Sequence, residues 1–578
     1  MKPNKRLVVT LAAAVSAGSL LLAPTPAQAC GGFFCSQVPV EQTGEQILFG
    51  MDGGKISAQI LINYAGEAED FAWLLPVASK PEITLGSAAA FTNLGFRTAP
   101  SWRLEWTAGA QCNWWSLYPQ LAEADNGTGG VRDGDEVSVL AKKEVGPFET
   151  VVLESSSTDD LIAWLNDNDY AQPPGARALI DHYVKQDMVF VALRLLKDEP
   201  TGAIQPITLT FEEANPCVPL VLTQVAATPD MPVQLYLVSD HRVVPNNWLH
   251  VVLNQKKIDW LNGGSNYTDV VTQAVDEASG RGFVTEFAGS SALLDDLVYR
   301  EGQFDLAKLA AATTPEGFVM ELLSQGFARD AQMQGLLRKH IPMPAAVATR
   351  GIDEQSFYND LASYALDLAA AGFVFDALAF VADIDERVVT PMRDTQAVFD
   401  SKPYFTRLFT TVSADEMTRD PVFSQNPDLA DVSNLHIAKA TPTCGSDPSQ
   451  PPESVLIEFD DGETMTLTGP FQQTFTGSGP EINYPDPAPG EPAALRIELI
   501  GATGQATLVH PWQVIAVDIA LDTQTPSQVL IDLANGSIAP TPVPDNQLSA
   551  SGGCSQGELL GGLAGGISAL ALLFRKKR

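Results

Sequence analysis

Apolar segments at both ends of the chain determine which residues are left to form a water-soluble fold. At the amino terminus, three basic residues precede the apolar run 7–23, and Ala27-Gln28-Ala29 follows. A basic stretch, an apolar core and an A-x-A site are the three parts of a secretory signal peptide. We therefore expect signal peptidase to cut after Ala29, so that residues 1–29 are removed and Cys30 begins the mature chain. Lipidation of Cys30 is the alternative.

The carboxyl terminus carries a second apolar segment. Cys554 is followed by the uncharged run 559–574 and by a basic cluster at 575–578. The run is shorter than the roughly 20 apolar residues of an ordinary transmembrane helix. The arrangement resembles the myxobacterial MYXO-CTERM sorting signal. The resemblance implies that residues 559–574 hold the protein in the membrane until a sorting protease cuts near Cys554 and leaves the product at the cell surface. A simple membrane anchor is the alternative.

The charge of the chain excludes one class of function. Asp and Glu number 70 against 35 Lys and Arg, which gives a formal net charge of −35. Both terminal segments are basic, so the mature chain is more acidic still. A surface this negative repels nucleic acid and anionic lipid headgroups, and we expect no nucleic-acid partner.

The cysteines indicate disulfides without fixing their pairing. An exported chain sits where disulfides persist. Five cysteines remain if Cys554 belongs to the sorting signal. Four remain if Cys30 is also lipidated, and four cysteines allow three connectivities. We predict a local Cys30–Cys35 loop and a long-range Cys112–Cys217 pair. No doubled CxxC spacing of a zinc site is present. The six cysteines are Cys30, Cys35, Cys112, Cys217, Cys444 and Cys554.

The hydrophobic pattern predicts an α+β fold. Alternating apolar residues at 55–64, after a Gly-rich turn, predict a hairpin. Apolar residues spaced three and four apart predict helices later in the chain. The expected fold is a mixed, β-sheet-rich amino-terminal region with a helical segment, followed by a small β-domain. The strands expected in that last domain are 455–459, 464–468, 495–500, 512–521 and 528–533. The expected units are 30–440 as one α+β domain (β-rich at 30–265, mainly helical at 266–440), a linker at 441–453, the small β-domain at 454–537, a Pro/Ser/Gly spacer at 538–553 and the sorting tail at 554–578.

Several short runs occur in the order typical of one protein family. They are CGGFFC (30–35), FAWLLPV (71–77), DLIAWL (160–165), DHYV (181–184), FVALR (190–194), GFVTEF (282–287) and YFTRL (404–408). Together they resemble the exported bacterial family called domain of unknown function 2330, over roughly residues 30–440. The resemblance implies secretion and a shared fold. It transfers no catalytic residue.

Catalytic and metal-binding motifs are largely missing. The sequence has no HExxH, GxSxG or Walker A motif, and its histidines are scattered. Asp181 and His182 with Glu286 could supply an acid and a base, although an exposed helix face is the favoured interpretation. No resident cofactor or metal is expected. The oxygen-rich loop with Asp133, Asp135 and Glu136 is a weak candidate for Ca²⁺, although an acidic surface loop is favoured.

A pair of tryptophans is the weak candidate for ligand binding. Trp114 and Trp115 would point to opposite sides of an extended segment, so one could stack on a sugar. Packing in the core is the favoured alternative.

These features together favour an exported cell-surface protein of unknown molecular activity, non-enzymatic and acting in envelope structure or binding. One alternative is an extracellular hydrolase with a spatially assembled acid–base site, which a His–carboxylate contact in a deep cleft would favour. The other is a polysaccharide- or Ca²⁺-binding module. The sequence does not name the ligand.

Overall fold

The computed structural model describes most of the chain between residues 41 and 538. The described residues are 41–65, 72–107, 112, 138–168, 170, 172, 175–196, 205–447, 449–476 and 479–538. They mix helices and strands throughout, so the predicted α+β class is confirmed.

The strands, in chain order, are β1 (Glu41–Asp52), β2 (Lys55–Ala65), β3 (Ala72–Val77), β4 (Glu82–Leu85), β5 (Ser101–Trp106), β6 (Ser138–Val145), β7 (Phe148–Glu154), β8 (Val189–Leu195), β9 (Ile207–Glu212), β10 (Met231–Ser239), β11 (Arg242–Pro245), β12 (Leu249–Leu253), β13 (Gly282–Ser290), β14 (Tyr404–Val412), β15 (Phe423–Asn426), β16 (Leu435–Thr443), β17 (Ser454–Phe459), β18 (Thr464–Thr468), β19 (Gln472–Thr476), β20 (Gly479–Asn483), β21 (Ala494–Leu499) and β22 (Thr507–Val509). The helices are α1 (Ala88–Thr98), α2 (Thr158–Asp167), α3 (Ala176–Val184), α4 (Leu220–Thr223), α5 (Tyr267–Glu277), α6 (Leu306–Ala310), α7 (Pro315–Ser324), α8 (Ala331–His340), α9 (Ala345–Ala348), α10 (Glu354–Asn359), α11 (Ala365–Ala370), α12 (Ala377–Ile384), α13 (Thr390–Phe399), α14 (Val514–Thr523) and α15 (Pro526–Ala534).

A ten-stranded mixed sheet forms the centre of the fold. Its strand order is β22-β21-β12-β13-β14-β10-β1-β2-β9-β4. The predicted hairpin is confirmed as β1 and β2, which pair antiparallel around Gly53 and Gly54. Both glycines have positive φ, which side-chain-bearing residues rarely adopt. The neighbours β12 and β13 run parallel, and this pair positions the site described below.

One face of the central sheet is covered by a second sheet, with strand order β3-β8-β7-β6. Strand β8 is buried along its whole length. Val191 and Leu193 pack toward the central sheet, whereas Phe190 and Ala192 pack against helices α2 and α3. A strand buried on both faces is largely apolar, and the one charged residue of β8, Arg194, pairs with Glu149 at 2.6 Å.

The carboxyl-terminal strands complete sheets that begin near the amino terminus. Strand β21 pairs with β12 in the central sheet, while β17 and β18 reach β5 through β16. Strands β17, β18, β21 and β22 therefore extend sheets shared with the rest of the chain, whereas β19 and β20 form a two-stranded sheet of their own. The strands predicted at 455–459, 464–468 and 495–500 are present as β17, β18 and β21.

Two of the predicted strands are wrong. Residues 512–521 and 528–533 lie largely within helices α14 and α15. The start of α15 explains the second error, because the Thr525 side chain accepts from the Gln528 amide and Pro526 occupies the first turn. Apolar runs of this length suit a buried helix as well as a strand.

Helices α6 to α12 form a cluster with its own apolar core, centred on Phe318, Leu336 and Phe380. Strands β13 and β14 flank this cluster in sequence and return to the central sheet, so the region predicted as mainly helical contains two central strands. Among the described residues, no helix combines the length and the apolar character needed to cross a bilayer.

The disulfide prediction is corrected by the pairing of two distant strands. Cys112 is bonded to Cys444, with 5.6 Å between their Cα atoms, and not to Cys217. Strands β5 and β16 run parallel with Trp106 opposite Ala440, so the segments that follow them leave the sheet side by side. Cys217 is also disulfide-bonded, and its partner lies outside the described residues.

Candidate functional site

A cleft of about 480 Å³ opens at the carboxyl ends of the parallel strands β12 and β13. The last parallel pair joins Val251 to Val284. Beyond that pair, β12 stays with β21 and β13 stays with β14, and the cleft lies against the residues that follow on both strands. The ends of parallel strands that separate in this way are common ligand sites in open sheets.

A chain of three hydrogen-bonded side chains lines this cleft. His250 on β12 lies directly opposite Glu498 on β21, and its Nδ1 is 3.1 Å from Glu498 Oε2. The other ring nitrogen, Nε2, is 2.9 Å from Oγ1 of Thr285 on β13. Three neighbouring strands thus hold a carboxylate, an imidazole and a hydroxyl in line.

Burial and hydrogen bonds set the protonation states of Glu498 and His250. Burial by itself would raise the pKa of Glu498. Hydrogen bonds from His250 and Arg496 outweigh burial and lower this pKa to about 2, so Glu498 is ionised. Burial lowers the pKa of His250 more than Glu498 raises it, which favours the neutral imidazole. A carboxylate accepts only, so Nδ1–H donates to Glu498 and Nε2 accepts from the Thr285 hydroxyl.

Arg242 is a buried cation whose hydrogen-bonding capacity is only partly used. Its Nη1 donates to the Ala430 carbonyl at 2.8 Å, and its Nη2 donates to Thr285 Oγ1 at 3.1 Å. Burial lowers its pKa. Within the described ranges no carboxylate lies at ion-pairing distance, and the buried Nε–H has no acceptor. The negative charges of Glu498 and Asp431 raise its pKa and so offset part of the effect of burial.

The other carboxylate of the cleft is fully paired. Glu286 occupies a β-bulge of β13 and accepts from Tyr267 Oη at 2.8 Å and from Arg407 Nε. Burial and the negative charge of Glu286 raise the pKa of Tyr267 well above its usual value. With both oxygens engaged, Glu286 stabilises the cleft wall.

The predicted acid–base group at Asp181, His182 and Glu286 is not assembled by these contacts. Asp181 on α3 accepts from Thr158 at 2.7 Å and pairs with Lys185. Glu286 is engaged in the central sheet with Tyr267 and Arg407 instead.

An aromatic wall closes one side of the cleft. Trp102 on β5 lies opposite His436 on β16, and their rings stack with centroids 5.3 Å apart. The Tyr267 ring lies 5.0 Å from Trp102. Trp102, His436 and Tyr267 thus contribute aromatic rings to the lining of the cleft.

The remaining sequence-predicted candidates stay predictions, because they lie outside the described residues. These are the processing residues Ala29, Cys30 and Cys554, the disulfide candidate Cys35, the Ca²⁺ candidates Asp133, Asp135 and Glu136, the tryptophans Trp114 and Trp115, and the membrane segment 559–574. Among the residues that the structure does describe, no three His, Cys, Asp or Glu side chains converge as metal ligands would.

Sequence reasoning missed Arg242, His250, Thr285 and Glu498. They lie on four strands: Arg242 and His250 are eight residues apart, but Thr285 and Glu498 are distant from them in the chain, so no motif spacing connects the four. The available signal was one histidine inside a short apolar strand, which is also the pattern of a histidine packed in a core.

The family profile described as an uncharacterised protein conserved in bacteria, domain of unknown function 2330, matches residues 24–335. The chain belongs to this family, and the match is shorter than the 30–440 expected. It includes Arg242, His250 and Thr285 but not Glu498. No curated protein and no solved structure matches the chain.

Proposed function

We propose that the protein is exported and displayed at the cell surface by signal peptidase and a carboxyl-terminal sorting protease. The support is the order of charged and apolar segments at 1–29 and 554–578. Intact-mass analysis of protein from native cells tests this, with Cys554→Ala as the comparison. A chain from Cys30 to about Cys554, with the tail retained in the variant, is expected. A full-length carboxyl terminus in both would leave an ordinary membrane anchor.

We further propose that the displayed domain is a binding protein that takes a small carboxylate-bearing ligand into the cleft. The observation that supports this is Arg242, a buried guanidinium that lines the cleft with an unused Nε–H and no ion-pair partner among the described residues. A ligand carboxylate in the cleft would add a counter-charge at shorter range than Glu498 and Asp431 provide.

The size and walls of the cleft define the rest of the ligand. A volume of about 480 Å³ falls in the roughly 300–1,000 Å³ range of small-molecule sites. The ring of Trp102 suits a flat or sugar-like body. We therefore expect a ligand with one acidic group and one face that stacks.

Calorimetry with glucuronate and benzoate tests the binding function, with glucose and benzamide as neutral counterparts. The acidic probes are expected to bind and the neutral ones to bind at least about tenfold more weakly, since a charge-assisted hydrogen bond is lost. Arg242→Met should abolish the preference, whereas Arg393→Met, at an exposed arginine of α13, should not. Equal binding of acidic and neutral probes, or no binding by the wild type, would refute the proposal.

Circular dichroism and thermal unfolding of Arg242→Met establish that the variant is folded. Arg242→Lys provides a second measurement, because it keeps the charge but loses the forked geometry. It is expected to retain part of the preference for acidic probes.

A further inference from the structure

We propose that Thr285 is a nucleophile and that the cleft hydrolyses carboxylic esters through the Thr285–His250–Glu498 chain. The inference rests on the binding function, because an ester must enter the same cleft and its acid product is the kind of ligand that Arg242 would bind.

The first argument is geometric. A nucleophilic hydroxyl needs a base within hydrogen-bonding reach, and the base needs a third group that orients it. Thr285 Oγ1 is 2.9 Å from His250 Nε2, and His250 Nδ1 is 3.1 Å from Glu498. All three residues line the cleft, and the ester is expected to approach Thr285, which is 8% exposed, from that side.

The second argument concerns the proton. His250 is neutral and turns its lone pair on Nε2 toward the hydroxyl, so it can accept the proton that Thr285 releases. The ionised Glu498 then stabilises the imidazolium that forms. A histidine that is already protonated on both ring nitrogens has no lone pair with which to accept this proton.

The third argument concerns the negative charge that develops on the ester. Arg242 contacts Thr285 Oγ1 through Nη2 and retains an unused, buried Nε–H. A guanidinium beside the attacking oxygen is the type of group that stabilises a tetrahedral oxyanion in a water-poor site. The bulge immediately after Thr285 shifts the register of β13, a local change that is common beside active sites.

The reaction proceeds in two balanced steps. Thr285 Oγ1 forms a bond to the ester carbonyl carbon while its proton moves to His250 Nε2. The tetrahedral intermediate collapses, the alkoxy group leaves, and it takes that proton to become an alcohol. Water then attacks the acyl-threonine with His250 as base, which releases the carboxylic acid and restores the Thr285 hydroxyl. Water is the only co-reactant.

The test uses p-nitrophenyl acetate as the ester, with release of p-nitrophenol and intact mass as readouts. Wild type is expected to turn over and to carry one acetyl group on Thr285 when quenched early. Thr285→Val should lose turnover and the adduct, and His250→Gln should lower turnover at least about 100-fold. Thr285→Ser should retain both, because it keeps the hydroxyl.

Thr411→Val is the matched control. Thr411 is a buried threonine on β14 whose hydroxyl contacts Thr272 at 2.9 Å and no histidine. Its substitution should leave turnover unchanged, which separates loss of a nucleophile from loss of a buried hydroxyl.

The outcomes separate this inference from the binding function. Binding of benzoate without turnover or adduct would overturn the inference and leave the binding protein intact. Turnover that survives in Thr285→Val would also overturn it. Failure of wild type both to bind acids and to hydrolyse the ester would remove both proposals.

Discussion

Of the single carboxylates, Asp518 on α14 is expected to cause the largest loss in the free energy of unfolding when it is replaced. Its Oδ1 accepts from Arg419 Nη2 at 2.6 Å and from Arg281 Nε at 3.0 Å. The side chains of Asp518 and Arg419 are 5% and 1% exposed, and that of Arg281 is 15% exposed. These contacts attach α14 to segments more than 90 residues away in sequence.

Asp518→Asn keeps the shape of the side chain but leaves two buried guanidinium groups with less counter-charge. Removing one partner of a buried ion pair costs about 3–5 kcal/mol. Arg419 still pairs with Asp522, which is partly exposed, so we expect a loss near the low end, about 3 kcal/mol. A loss of that size is a large fraction of the roughly 5–15 kcal/mol that stabilises a folded protein.

Urea unfolding followed by tryptophan fluorescence measures this loss, and Trp248, which donates to the Arg419 carbonyl, reports on the same region. Glu458→Gln is the control, because its pair with Lys439 is exposed and is worth about 1 kcal/mol or less. A loss for Asp518→Asn no larger than that of the control would refute the reasoning.

Three further predictions follow from buried groups. Burial raises the pKa of Asp420 from 3.8 to about 7, so the folded state binds the carboxyl proton more tightly than the unfolded state does. The stability that this protonated carboxyl contributes is complete below about pH 4 and is lost as pH rises through 7. Asp420→Asn should therefore flatten the stability profile between pH 5 and 8 in denaturant titrations, and an unchanged slope would contradict the assignment. Replacing both Cys112 and Cys444 by Ser opens a loop of 332 residues and should cost about 2–5 kcal/mol relative to the oxidised wild type; Cys112→Ser alone breaks the same bond and should cost a similar amount. Tyr267→Phe removes the hydroxyl that donates to Glu286 and should lower the free energy of unfolding by about 1–3 kcal/mol; a neutral effect would show that water replaces this bond.

The local sequence pattern is sufficient to predict a helix or strand where the contacts that form it lie within its own residues. The β1–β2 hairpin follows from the apolar alternation and from two glycines with positive φ. Helix α2 begins where the Ser157 side chain accepts from the Asp160 amide. The same reasoning failed at α14, because an apolar run of ten residues fits a buried helix or a buried strand equally well.

The candidate site could not be derived from the sequence. Thr285 meets His250 because β12 and β13 pair in parallel, and Glu498 joins them only because β21 crosses back to pair with β12, nearly 250 residues earlier in the chain. The predicted Cys112–Cys217 pair was wrong for the same reason. The pairing of β5 with β16 brings Cys444 to Cys112, and strand pairing over such distances leaves no local pattern.

The sequence by itself determined the α+β class, the family and many of the local elements, because periodicity and short motifs are read over a few residues. The tertiary structure alone decided which side chains share the cleft, how the chain is cross-linked and where a cation is buried without an ion-pair partner among the described residues. Those properties depend on contacts between distant strands and on removal of water, and both arise only when the sheets have assembled.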